Sequence, residues 1–127
     1  MNRFAQVLLL LTPVFVVSGC SEAPPPAASY SSDVRPVIDK YCMRCHGVDG
    51  KGSEVSGFRM DTYESLMQGT KYGAVIKPGD SFSSALVMLV EGRVDPSIIM
   101  PHGEGPKPTQ AEIDALKAWI DQGAKNN

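Results

Sequence analysis

The sequence predicts an all-α domain of about four short helices packed around a large bound group. Three observations carry this: apolar residues recur at helical spacing in separate windows, capping residues precede those windows and glycines follow them, and large aromatic side chains are few. Aromatics make up 7% of the 127 residues, and two N-terminal segments do not look globular, leaving roughly a hundred residues for one fold. A domain that small buries a limited core, so a cofactor filling part of the interior supplies contact area that the side chains supply sparsely.

The first segment reads as an export signal. Met1-Asn2-Arg3 carries one positive charge, and an apolar run of 11 residues from Val7 to Val17 follows it. A membrane-spanning helix needs about 20 apolar residues, whereas the apolar core of a signal peptide needs roughly 7–15. Val17-Ser18-Gly19-Cys20 closes the run and resembles the bacterial lipobox, in which the cysteine becomes the lipidated N-terminus. That resemblance implies three acyl chains on Cys20, and at about 0.8 kcal/mol per buried methylene several chains anchor stably where one binds only marginally. Ser21 is not the aspartate associated with retention at the inner membrane, which points toward the outer membrane of a bacterium. Ser21 to Ser29 includes Pro24-Pro25-Pro26 and almost no large apolar residue; as an extended tether it spans roughly 28 Å. The expected organisation is residues 1–19 as a removed signal peptide, residues 20–30 as lipidated Cys20 and its tether, and residues 31–127 as the domain.

Charge excludes one class of partner. Loss of the segment bearing Arg3 takes the formal charge from −2 to −3, and no basic patch of the kind that binds nucleic acid is present. Acidic and basic residues are interspersed, as on an ordinary solvated surface.

The first helix is expected from Asp33 as cap through Tyr41, with Pro36 in its first turn and Val34, Val37, Ile38 and Tyr41 on one face. It leads into Cys42-Met43-Arg44-Cys45-His46, a Cys-x-x-Cys-His run. In an exported chain this is the attachment signature of c-type haem. Two thiols at this spacing lie on one side of a helical turn, where each can add across a haem vinyl group, with His46 beneath the iron. The competing readings are a redox dithiol, which wants a strand before the motif, and a zinc site, which wants a fourth ligand that the single remaining histidine, His102, does not readily complete.

Residues 47–57 hold four glycines and are expected to form a loop. Asp61 with Glu64 suggests a capped helix running to Gly69, and residues 81–91 read as another, stopped by Gly92. The last helix has Thr109 and Glu112 as a capping box, with Ile113, Leu116 and Ile120 on one stripe and Trp119 beside it as core. It is expected to pack on Val37, Ile38 and Tyr41. Of six methionines, Met67 and Met88 fall on helices as core, while Met60 and Met100 fall in loops.

The chain resembles class I cytochromes c, and more closely the small planctomycete-type cytochrome c domains, over residues 32–124. The residues that carry this are the Cys42 to His46 motif, Pro78-Gly79-Asp80 with Ser84, Met100-Pro101, and Trp119-Ile120-Asp121-Gln122-Gly123-Ala124. The departure is His102 where those domains have a second proline. The resemblance implies a cytochrome c-like fold around one covalent haem c, with His46 as proximal and Met100 as distal iron ligand, His102 as the alternative, and Met60, the other loop methionine, behind both. A haem with both axial positions filled has no open site for oxygen or peroxide and suits outer-sphere electron transfer between redox partner proteins. No catalytic set is visible. The rival expectation is a haem subunit of a periplasmic peroxidase or dehydrogenase, which needs a displaceable distal ligand.

Overall fold

The computed structural model describes residues 26–127, and the signal segment with Cys20 lies outside them. Six α-helices follow one another: α1 (Arg35–Tyr41), α2 (Met43–His46), α3 (Lys51–Ser56), α4 (Tyr63–Gln68), α5 (Ala85–Val90) and α6 (Gln110–Asp121). A π-helical turn, Tyr30–Val34, runs into α1, and a 3-10 turn, Pro96–Ile98, separates α5 from α6. The all-α expectation is met; among the described residues the only bridge is an isolated one between Thr70 and Gly73. The count exceeds four because helix resumes after Cys42 as α2, and because α3 occupies a stretch expected to be loop.

The caps explain where the helices begin. Ser29, not Asp33, caps the first helical segment: its hydroxyl accepts from the Ser32 N–H at 3.4 Å, while the Asp33 carboxylate accepts from the Ser29 N–H at 2.7 Å. Asp33 therefore serves the cap from inside the first turn, which starts one turn earlier than the apolar pattern alone indicates. At α4 the cap is Thr62 with Ser65, one residue beyond the expected Asp61 and Glu64 pair. The box of Thr109 and Glu112 forms at α6 as expected. The helix expected over residues 81–91 is cut back to Ala85–Val90, since Ser81 and Ser84 bond elsewhere.

Val34, Val37, Ile38, Leu66, Val87, Leu116, Trp119 and Ile120 form one buried cluster. α6 crosses the start of the N-terminal helical segment, where Trp119 lies 5.6 Å from Tyr30 and 6.5 Å from Tyr63 between ring centroids. At the other end of the crossing the Tyr41 hydroxyl donates to Glu112 at 2.9 Å. The Pro78-Gly79 turn closes on α6 as well: the Gly79 N–H donates to the Ile120 carbonyl at 2.7 Å, and Ser81 donates through N–H and hydroxyl to Asp121. Ser84, fully buried, donates to the Asp80 carbonyl and accepts from the Lys77 N–H, which closes that turn internally.

The chain just before the first helix belongs to this packing. Ala28 is buried and its N–H donates to Gln122 at 2.9 Å, and the Tyr30 N–H donates to the Asn127 side chain at 2.8 Å. The tether expected to reach residue 30 is thus docked on the domain from residue 26 onward.

Glu112 accepts from the Thr109 N–H, from Tyr41 and from Lys40, and these bonds, the first foremost, hold its carboxyl down to about 2 from an ordinary 4.5. A carboxylate held low in the fold stabilises it above the ordinary value, and the contribution is lost as pH falls toward the folded value. Between about pH 4.5 and 2 the Glu112→Gln variant should therefore lose stability less steeply than the wild type. Melting temperatures across that range test this, and parallel curves would refute it.

Candidate functional site

α2 is a single turn with Cys42 at its head. The Cys42 carbonyl accepts from the His46 N–H at 2.8 Å and the Cys45 N–H at 3.1 Å, which winds the second thiol and the imidazole round the same turn. Cys42 is half-buried, Cys45 is exposed, and neither is in a disulfide. Burial, with a smaller push from Cys45, raises the Cys42 thiol to about 11. A redox dithiol works through a first cysteine whose thiolate is favoured, and the shift here is in the opposite direction. A helix, moreover, precedes the motif. Among the described residues no three His, Cys, Asp or Glu side chains gather as a metal-ligand set, so the zinc arrangement is not assembled there.

His46 is held on both sides. Its Nδ1 lies 3.1 Å from the Phe58 carbonyl, and its own carbonyl accepts from the Met60 N–H at 2.8 Å. A carbonyl can only accept, so in the neutral ring Nδ1 carries the proton and Nε2 keeps its lone pair. This is the arrangement by which a histidine is oriented as a metal ligand. α3 backs the ring: a Cβ at position 52 would sit 2.8 Å from His46 Cε1, and one at position 50 would sit 2.2 Å from the Cys45 carbonyl oxygen. Glycines at 50 and 52 let that close approach occur. Ser53 is buried, with its hydroxyl 2.7 Å from the Gly47 carbonyl and 3.0 Å from the Phe58 carbonyl.

Of the three candidates for the distal position, Met60 leaves the field. It is 1% exposed and packed in the core cluster, its carbonyl bonded by Arg35 at 3.0 Å. Met100 is half-buried in the loop after the 3-10 turn, where its N–H donates to the Leu89 carbonyl at 3.1 Å and ties the loop to α5. His102 is exposed, at the start of a run of exposed residues that continues to Lys107.

Residues 42–104 match the family described as planctomycete cytochrome C. The chain carries a cytochrome c-like domain. The match begins at Cys42, includes His46 and Met100, and ends two residues after His102. Comparison with curated proteins and with solved structures gave no match. A cytochrome c domain functions through haem, by electron transfer. The residues present fit that group: two separate thiols one turn apart, and a histidine with Nε2 unencumbered.

In this cytochrome c-like domain the residues hidden from sequence reasoning are those that support His46. Phe58, Gly52 and Ser53 belong to no recognised motif, and α3 carries no apolar stripe: its one large apolar residue, Val55, is 71% exposed. The available signal was Gly57 after Ser56, a glycine at φ +74° where a helix ends.

Proposed function

We propose that the chain is a mono-haem c-type cytochrome that passes single electrons at the bacterial cell envelope. Cys42 and Cys45 would form the thioether links, His46 Nε2 would be the proximal iron ligand and the Met100 sulfur the distal one. The observation that carries this is the bond from His46 Nδ1 to the Phe58 carbonyl, which leaves Nε2 free. When bound, the haem supplies a one-electron ferric/ferrous couple, and methionine opposite histidine raises its potential. Met100 is favoured over His102 because it is half-buried with its backbone tied to α5, whereas His102 is exposed. With His46 and Met100 as its ligands the iron would have no open site for a substrate, which suits an electron carrier serving redox partner proteins.

The envelope location rests on the lipobox resemblance at Cys20, outside the described residues. Among the described residues no helix is long and apolar enough to cross a membrane, and the proposed attachment is the lipid on Cys20. Outer-membrane delivery is favoured by Ser21.

Expression of the full chain in a bacterium able to mature c-type cytochromes tests the reading in one preparation. The protein should be red, stain for haem after denaturing electrophoresis, sediment with membranes, and show in its oxidised form a weak far-red sulfur-to-iron charge-transfer band. Met100→Ala should lose that band and His102→Ala should keep it. A colourless product refutes the haem; a soluble red product refutes the anchor alone; loss of the axial spectrum only in His102→Ala reverses the distal assignment.

A further inference from the structure

The Phe58 carbonyl is the acceptor for the His46 Nδ1–H, at 3.1 Å, and it also lies 3.0 Å from the Ser53 hydroxyl. Ser53 in turn stands 2.7 Å from the Gly47 carbonyl. A serine hydroxyl has one proton and here faces two acceptors, both backbone carbonyls, in a buried position where water does not compete. We propose that Ser53 is a positioning residue that sets the electron-donating strength of His46 by sharing its single proton between the Gly47 and Phe58 carbonyls.

The physical reason is competition at one oxygen. A carbonyl that accepts a second hydrogen bond is a weaker acceptor for the first, so the Ser53 proton draws the Phe58 oxygen partly away from His46. The imidazole then keeps more of its Nδ1 proton and gives less charge through Nε2. A proximal ligand that gives less charge favours the ferrous iron, since ligand basicity is set by the outer hydrogen bonds. α3 brings this about by its closeness to the ring: Gly52 allows the approach, and Ser53, the next residue, reaches the carbonyl.

This inference rests on the haem reading above, and its test separates the two. In the reduced holoprotein, proton NMR should find a slowly exchanging Ser53 hydroxyl proton with a nuclear Overhauser contact to the His46 Nδ1 proton, since both point at one oxygen. Ser53→Ala should leave haem content and the His46 ligation unchanged, shift the ferric/ferrous equilibrium severalfold toward ferric, and move the Nδ1 proton downfield. Ser53→Thr, which keeps the hydroxyl, should restore both values. Haem-free wild type would overturn the function itself. A red Ser53→Ala protein with an unchanged or raised potential, or a wild-type hydroxyl proton with no contact to the His46 proton, would overturn the role of Ser53 and leave the function standing.

Discussion

Replacing both Cys42 and Cys45 with serine should leave a chain that no longer stains for haem after denaturing electrophoresis, while either single replacement should lose or halve the covalent attachment. The expected change is close to total because the thioether bonds are the only proposed link that survives denaturation. Cys45 is exposed, and at Cys42, half-buried against the core, serine changes only sulfur for oxygen, so loss of stain reports attachment more than unfolding. His46→Ala should behave differently. With the thiols intact it can still bind haem covalently, but without Nε2 the proximal side of the iron has no protein nitrogen, and the low-spin spectrum should disappear. Circular dichroism of each variant separates these effects from collapse of the helices. Equal staining of the wild type and the double serine variant would refute covalent attachment at this motif.

Truncating Trp119 should cost more stability than changing any other single side chain of the core. Its side chain is 1% exposed, sits against Tyr30 and Tyr63, and donates from Nε1 to the Lys125 carbonyl at 2.7 Å. Removal of a buried tryptophan ring leaves a cavity and typically costs roughly 3–5 kcal/mol, against a total stability of about 5–15 kcal/mol for a small domain. The expected penalty lies at the upper part of that range, because the ring joins α6 to the turn before α1 and its loss also leaves the Lys125 carbonyl without the Nε1 bond. Trp119→Phe should recover about half, restoring apolar contact but not the Nε1 bond. Urea unfolding of the holoprotein measures both. A shift of less than about 1 kcal/mol for Trp119→Ala would show that α6 is held mainly by its other contacts.

Some of the candidate site was legible before any geometry, because the proposed covalent haem attachment demands two thiols and a histidine at a spacing set by one helical turn. Trp119, Ile120 and Leu116 were legible as core because a regular helix repeats its buried face every three to four residues. Met60 was misleading because a loop residue stays a candidate ligand until its packing is known; here its side chain is buried in the core cluster, with Arg35 bonded to the carbonyls of residues 60 and 61. α3 escaped because it is held by hydrogen bonds and close backbone approach, which leave no apolar period to read.

By itself, then, the sequence determined the all-α class, the Cys-x-x-Cys-His run from Cys42 to His46, the capped last helix and the candidates for the proposed distal ligand. Each of these depends on residue type at a short, fixed separation. Tertiary structure alone decided which nitrogen of His46 is free, that Met60 is core, that Ser53 shares an oxygen with the imidazole, and that residues 26–30 dock on the end of α6. These depend on distances between residues far apart in the chain, such as Ala28 and Gln122, or on the direction of one carbonyl, and no local pattern encodes either.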